Sequence, residues 1–375
     1  MSFLYCPPSV FAIGKEYEIL LNVKTYGICF IEMDDKVYYE ENSGVLPSER
    51  TVVKIRVPQS ALDRAKAYSV VFRETEDRKS YYSTFKAPRV EKFAFKPLEK
   101  TEDIHIYHIA DVHYRFEDAK KMASYFGDDI DLFVVNGDIG EVETEENFLE
   151  VCAFTGEISQ GEIPIIFVRG NHDTRGRLSE LYPKYFPVEG KKTYFTFEIG
   201  CLNGVVLDCG EDKLDESMEY DSSENTPTKY RGLNRFHAYR EQQLAFLKTL
   251  DFNSGDKIPF AISHVCPIKT TYQAGGIFDI ERELYTKWNE ELERCGVKFM
   301  LCGHFHKAFI LTKGDERNLI DHTYPVAVGS AHTDEDLWGA AITLNRDKMT
   351  VYFTNTACEV QESYTLYFSN AMKKE

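Results

Sequence analysis

Up to about residue 95 the chain alternates short apolar runs with turn residues. The runs at 17–23, 28–33, 52–57, 68–73 and 81–85 are β-branched or aromatic, which predicts strands. Residues 88–103, with lysine, glutamate and Pro97, predict a linker. From Ile104 the texture changes to strands alternating with helices, the order of an α/β core. The helical period predicts helices over 117–126, 145–158, 175–185, 240–250 and 280–295, the second capped by Thr144. Residues 194–199 and 205–209 predict a hairpin turning at Asn203-Gly204. Residues 211–235 are polar and acidic without a period, which predicts a long loop. Strands follow over 325–328, 340–344 and 350–354, with Asn345-Arg346-Asp347 as a turn. The change of texture divides the chain into residues 1–97 and 98–375.

One stretch carries more than structure. Ile163-Pro-Ile-Ile-Phe-Val-Arg-Gly-Asn-His-Asp173 is an apolar run closed by glycine, the pattern of a buried strand and a sharp turn. In open α/β sheets functional groups gather at the carboxyl ends of strands, and Asn171, His172 and Asp173 fall there. Taken alone, a polar turn after a strand is the better reading. Four further apolar runs end the same way. Residues 104–110 lead into Asp111-Val112-His113, 132–136 into Gly137-Asp138, 258–263 into His264, and 298–302 into Gly303-His304-Phe305-His306. Five strand ends carrying Asp, Asn or His make coincidence a poor explanation.

Asp111, His113, Asp138, Asn171, His264, His304 and His306 form a mixed nitrogen and oxygen donor set. Such a set suits Mn, Fe, Co, Ni or Zn. Seven donors are too many for one catalytic ion that keeps an open position, and they suit two ions sharing a carboxylate. Two ions about 3.5–4 Å apart hold a bridging hydroxide and clamp the attacking and leaving oxygens of a phosphoryl centre.

Asp-x-His, Gly-Asp, Gly-Asn-His-Asp, a lone His after a strand and Gly-His-x-His resemble, in this order, the signature of the calcineurin-like metallophosphoesterase superfamily. The blocks span residues 111 to 306. The resemblance implies a four-layer α/β/β/α sandwich of α+β class. It implies that Asp111, His113, Asp138 and His306 hold one divalent ion and that Asp138, Asn171, His264 and His304 hold the other. His172 is then the non-ligand histidine that contacts the phosphate and protonates the leaving group. Asp173 is read as an orienting carboxylate or a helix N-cap. Glu141 stands three residues after Asp138, where phosphoprotein phosphatases carry an Asp paired with the catalytic His, and is expected to orient His172.

Leu62 followed six residues later by Tyr68 fits the tyrosine corner of immunoglobulin-like and fibronectin-type sandwiches. We therefore expect a small β-sandwich over residues 1–97, a layout similar to that of purple acid phosphatases. The chain departs from that subfamily, which carries Asp-x-Gly and Gly-Asp-x-x-Tyr; here His113 and Glu141 stand at those positions. The first block resembles instead the Asp-x-His type of phosphodiesterases, nucleotidases and phosphoprotein phosphatases.

Charge narrows the partner. The net charge of −17 lacks the basic footprint of nucleic-acid binding and disfavours an anionic membrane surface. The expected partner is a small phosphate ester; a nuclease of the same superfamily is the less favoured alternative. A catalytically silent scaffold of this fold would typically have lost the histidine or ligands that stand here intact. No run approaches a membrane span, and residues 1–11 lack a basic n-region and a proper h-region. The nine cysteines are scattered without a CxxC pair. Cys29, Cys201, Cys209 and Cys302 lie in or beside strand-like runs and read as reduced core thiols, the usage of a cytoplasmic protein. His105 and His108 read as ordinary sheet residues; Tyr114, Arg175 and Arg177 flank the motif turns and read as surface residues, with contact to substrate as the alternative. His322 and His332 carry no chemical assignment.

Overall fold

The computed structural model describes residues 1–40, 42–216, 218–221, 226–229, 234–253, 255–332, 336–368 and 371–374, with side chains at all of them except 218–221, 226–229 and 371–374. Two sheets organise the molecule. In the first, Ile104–Ile109, Leu132–Asn136 and Pro164–Val168 pair in parallel. The last two are buried at every position, as a strand covered on both faces requires. Leu337–Leu344, Lys348–Thr354 and Val360–Tyr367 extend this sheet antiparallel on one side. In the second sheet Leu202–Leu207, Ile258–Ser263, Phe299–Cys302 and Val326–His332 run parallel. Phe195–Ile199 and Lys307–Leu311 flank it antiparallel.

Three apolar clusters fill the spaces between four layers. The helices Phe116–Ala123 and Glu145–Ser159 cover the first sheet through Met122, Phe148 and Phe154, packed with Phe133, Val135 and Phe167. Between the sheets Leu132, Val134 and Ile166 share a core with Val206, Phe260 and Leu301. Alternate residues of one strand thus serve opposite layers, which follows from the period of two. The helices Phe236–Leu247 and Arg282–Arg294 cover the second sheet through Leu247, Tyr285 and Trp288 against Val205, Ala261 and Met300. This is the expected α/β/β/α order. The Glu145–Ser159 helix begins as read, with Thr144 and Asn147 in a reciprocal capping box.

The N-terminal part is β-rich, and its strands join the first sheet. Ser9–Ile13 pairs in parallel with Pro164–Val168 and antiparallel with Glu16–Met33. The expected strands at 17–23 and 28–33 are one strand, Glu16–Met33, whose register shifts between Asn22 and Gly27. Its first half pairs with Arg50–Pro58 and its second with Ala67–Arg78. Val10, Tyr17, Ile19 and Phe72 belong to the same intersheet core as Ile106 and Phe197.

Five local expectations are corrected. The Tyr68 hydroxyl makes no tyrosine corner; it donates to the Gly161 carbonyl at 3.0 Å, across to the other part of the chain. The expected linker begins as a strand, Arg89–Ala94, paired with Ala67–Arg78; its charged edge residues masked a pattern in which Phe93 stacks on Tyr68. Residues 175–185 form only a 3-10 turn, Ser179–Leu181, and a four-residue helix, Tyr182–Tyr185, because Gly176 takes a φ of +88° and Pro183, which lacks an N–H, sits in a helix's first turn but not in its interior. The hairpin turns at Gly200-Cys201, since Ile199 pairs with Leu202. Gly204 lies within the strand, where a Cβ would meet the Phe260 carbonyl oxygen at 1.9 Å. Within the expected loop 211–235, Met218–Asp221 and Thr226–Lys229 pair as a ribbon, while residues 217, 222–225 and 230–233 lie outside the described residues.

Candidate metal centre

Parallel strands bring like ends to one edge, and all five motif turns meet there. They are tied together through backbone. The Asp111 N–H donates to the Gly137 carbonyl and the His113 N–H to that of Asp138, both at 3.1 Å; the Gly303 N–H donates to the His264 carbonyl at 3.0 Å. The approach is close enough to exclude side chains: a Cβ on Gly137 would lie 2.6 Å from the Gly170 backbone, and one on Gly170 would lie 2.1 Å from Asp138 Oδ1. Asp111, His113, Asp138, His304 and His306 all take positive φ, between 43° and 74°. Each such residue costs about 1–3 kcal/mol and persists only where surroundings enforce it, which is characteristic of functional sites.

Asp111, Asp138, Asn171 and His264 are buried, whereas His113, His172 and His304 are half-buried and His306 is exposed. His264 Nε2 lies 3.1 Å from Asp138 Oδ2 and 3.6 Å from Asp111 Oδ1. His306 Nε2 lies 3.4 Å from Asp111 Oδ1 and 3.2 Å from His113 Nε2. Asn171 Oδ1 stands 3.0 Å from His304 Nδ1. Donor atoms of Asp111, His113 and His306 fall within 4.8 Å of one another, as do those of Asp111, Asp138 and His264.

These residues fit divalent ions on a further ground. Asp111 Oδ1 and His264 Nε2 are buried without a hydrogen-bond partner among the described residues, although buried polar atoms are normally paired. At 3.6 Å the two atoms lie beyond hydrogen-bond distance of each other, which suits two donors aimed at a common cation. Burial lowers His113 to about 4 and His304 to about 3, keeping both in the neutral form that binds metal. Burial works against charge on His264, but the Asp138 and Asp111 carboxylates overcome it and raise the ring to about 10. Burial likewise works against charge on Asp138, and His264 outweighs it to hold that carboxyl at about 2.

Supporting groups fix the donors. His264 Nδ1 meets the Asn136 carbonyl at 2.6 Å. Asp111 Oδ2 accepts the His304 N–H at 2.8 Å and the Ser330 hydroxyl. Asp173 Oδ2 accepts the Gly170 N–H at 2.7 Å and the Asp138 N–H at 3.3 Å, so it holds the two turns against each other. Burial and the neighbouring Asp138 charge raise this carboxyl to about 7. His172 Nε2 lies 3.9 Å from Asp138 Oδ2. With Glu141 and Arg175 it lines a cavity of about 190 Å³. Glu141 is exposed, and among the described residues no hydrogen bond joins it to His172.

Sequence reasoning missed two neighbours. Asp212 Oδ2 lies 3.7 Å from His304 Nε2, within a buried network in which Arg175 reaches Glu211 at 2.5 Å and Asp212 at 3.0 Å, and Lys213 reaches Asp212 at 2.7 Å. Lying at the start of an aperiodic acidic stretch, this network left no pattern to find. His332 stands with its ring centroid 5.6 Å from that of His113 and 5.4 Å from that of His306; the signal for it was the alternation Ser330-x-His332 at a strand end. His105 stacks on Phe126 at 4.3 Å, His108 Nε2 stands 3.0 Å from Asn136 Nδ2, and His322 is held between Asn318 and Tyr324, all within the fold.

The family model described as calcineurin-like phosphoesterase matches residues 104–308. Among solved structures, the purple acid phosphatase PPD1 from yellow lupin (Lupinus luteus) seeds is similar at 12% identity with a TM-score of 0.60, over 96% of this chain and 74% of that one. PhoD is similar at 11% identity with a TM-score of 0.61, over 100% of this chain and 92% of that one. At such identities the likeness is one of fold. No curated protein matches the sequence.

Proposed function

The chain belongs to the calcineurin-like phosphoesterase family, whose members are metal-dependent phosphate-ester hydrolases, and we propose that it hydrolyses a small phosphate mono- or diester at a centre of two divalent ions. The observation that supports this reading is the pair of close donor groups, Asp111 with His113 and His306 and Asp111 with Asp138 and His264; these groups meet at Asp111, whereas Asp138, 3.1 Å from His264 Nε2, is assigned as the shared carboxylate from the order of the motifs. Asp111, His113, Asp138 and His306 are assigned to one ion, and Asp138, Asn171, His264 and His304 to the other. When bound, the ions supply an activated water and neutralise charge developing on the phosphoryl oxygens.

The remaining roles belong to the chain's own groups. His172 is not a member of either donor group, and its half-buried ring faces a cavity; it is assigned to give a proton to the leaving alkoxide. Help of this kind contributes roughly 10²- to 10⁴-fold. Asp173 keeps the Gly170 and Asp138 turns in register, and Glu141, on the same cavity as His172, is assigned to orient that ring. The net charge of −17 supports a small ester over a nucleic acid. Among the described residues no helix is long and apolar enough to cross a membrane, and all nine cysteines are free thiols, which supports placement in the cytoplasm. The test is a chromogenic phosphate-ester assay with added Mn: metal-dependent hydrolysis supports the reading, and none with any of Mn, Fe, Zn, Ni or Co refutes it.

A further inference from the structure

We infer that a cavity beside the Gly170 turn binds a small oxyanion carried on a ring, apart from the metal centre and independently of any phosphoesterase activity. The cavity measures about 420 Å³, and Arg169, Lys191 and Arg235 line it together. No acidic residue lines it, although the chain carries 61 acidic residues against 44 lysines and arginines. None of the expected metal ligands lines it, nor does His172. Lys191 and Arg235 are exposed, and among the described residues neither forms an ion pair with a carboxylate. Three cations without a lining acid make this wall positive in a chain of net charge −17, and such a wall attracts anions.

An interior network holds the floor of the cavity. Arg169 Nη2 meets Asp208 Oδ2 at 2.7 Å, with the arginine side chain 16% exposed and the aspartate 1%. Asp208 Oδ2 also accepts the Thr193 hydroxyl, and the Tyr239 hydroxyl accepts the Thr193 N–H at 3.1 Å. The Arg169 guanidinium lies over the Tyr239 ring, 5.9 Å from its centroid. Asp208 thus answers Arg169 alone and leaves the charges of Lys191 and Arg235 uncompensated. The N-terminus of the helix Phe236–Leu247 is already engaged, since the Phe236 and His237 N–H groups donate to the Asp215 carboxylate at 2.9 and 3.1 Å. Side chains, not the helix end, must therefore hold the anion. Arginine suits a carboxylate or a phosphate, which it meets with two parallel N–H groups. The ring follows from the other walls. Pro183, Phe236 and Tyr239 line the same cavity, whose volume falls within the range of about 300–1,000 Å³ typical of small-molecule sites. A bare anion would leave these apolar walls wet, and a neutral ring would leave two cations unanswered. A ring bearing one oxyanion satisfies both.

The test titrates metal-loaded protein with phenylphosphonate and with benzoate by calorimetry; neither has a phosphate-ester bond to hydrolyse. Inorganic phosphate and benzyl alcohol present the anion and the ring separately. Wild type is compared with Lys191→Ala, Arg235→Ala, the double variant and Asp138→Asn, with circular dichroism to follow folding. A ring-bearing anion should bind wild type at a site that Asp138→Asn keeps. Each single variant should bind it roughly tenfold or more weakly, the scale of one hydrogen bond to a charged group, and the double variant more weakly still. Tighter binding of phenylphosphonate assigns the oxyanion to a phosphate and tighter binding of benzoate to a carboxylate, and either supports the site. A wild type that binds neither, or a folded double variant that binds as well as wild type, overturns it. Binding lost in a folded Asp138→Asn but kept in the double variant places the anion on the metals and overturns it as well. Inorganic phosphate or benzyl alcohol binding as tightly as the ring-bearing anions overturns the paired requirement.

Discussion

The ring Nδ1 of His264 stands 2.6 Å from the Asn136 carbonyl oxygen, and this contact turns Nε2 toward Asp111 and Asp138. A histidine ligand held through its other nitrogen has its tautomer and orientation set in advance. His264→Asn should therefore lose one of two bound ions while remaining folded. Its melting temperature should fall modestly, because a buried carbonyl left unpaired costs about 1–3 kcal/mol. Elemental analysis beside a thermal melt checks both; an unchanged metal count would remove His264 from the centre.

His172→Ala separates binding from chemistry. The backbone N–H of His172 donates to Asp138 Oδ1 at 2.9 Å, a bond that alanine keeps, so the turn should survive with both ions. Loss of kcat should be steep for esters with poor leaving groups, roughly 10²- to 10⁴-fold, and small for nitrophenolate, which needs little protonation. Equal losses for both substrates would contradict the acid role.

His322 gives a pH dependence of stability. Burial holds this ring below its ordinary value. It is neutral in the fold, giving Nδ1–H to the Tyr324 carbonyl at 2.6 Å and accepting from Asn318 at 2.9 Å. The unfolded chain, with a histidine pKa of about 6.5, takes up the proton first as pH falls. The contribution of the neutral ring is thus complete above about pH 6.5 and lost below it. The gap in melting temperature between wild type and His322→Gln should shrink between about pH 7.5 and about pH 5.5. A gap that widens would reverse the sign and the assignment.

The division at residue 97 is tested by expressing residues 98–375 alone. Removing Ser9–Ile13 bares the edge of Pro164–Val168, and removing Val10, Tyr17, Ile19 and Phe72 opens the intersheet core. Exposed edges and apolar faces aggregate. The fragment should be insoluble or lack a cooperative melt; a soluble fragment with one sharp transition would make residues 1–97 a separable module.

What the sequence could reveal followed from period and punctuation. The five apolar runs were legible as strands because both faces are buried, and their polar ends were legible as a site because no core explains Asp111 or His264 there. The pairing of Ser9–Ile13 with the sequence-distant Pro164–Val168 was not legible, since parallel pairing leaves no local mark. Neither was Arg89–Ala94, an edge strand whose charged residues read as a linker. Gly204 looked like a turn residue, yet its reason is the Phe260 backbone packed against it. Asp212 and His332 reach the site through tertiary contact alone.

Asp138 tests the central claim most directly. Buried, with His264 at 3.1 Å and His172 at 3.9 Å, it is the carboxylate assigned to both ions. Metal content and hydrolysis of a panel of phosphate mono- and diesters are measured on the same samples of wild type and Asp138→Asn. The account predicts two divalent ions per wild-type chain, hydrolysis that chelation abolishes and metal restores, and a folded variant poor in metal with almost no activity. Full activity in a folded Asp138→Asn would contradict it.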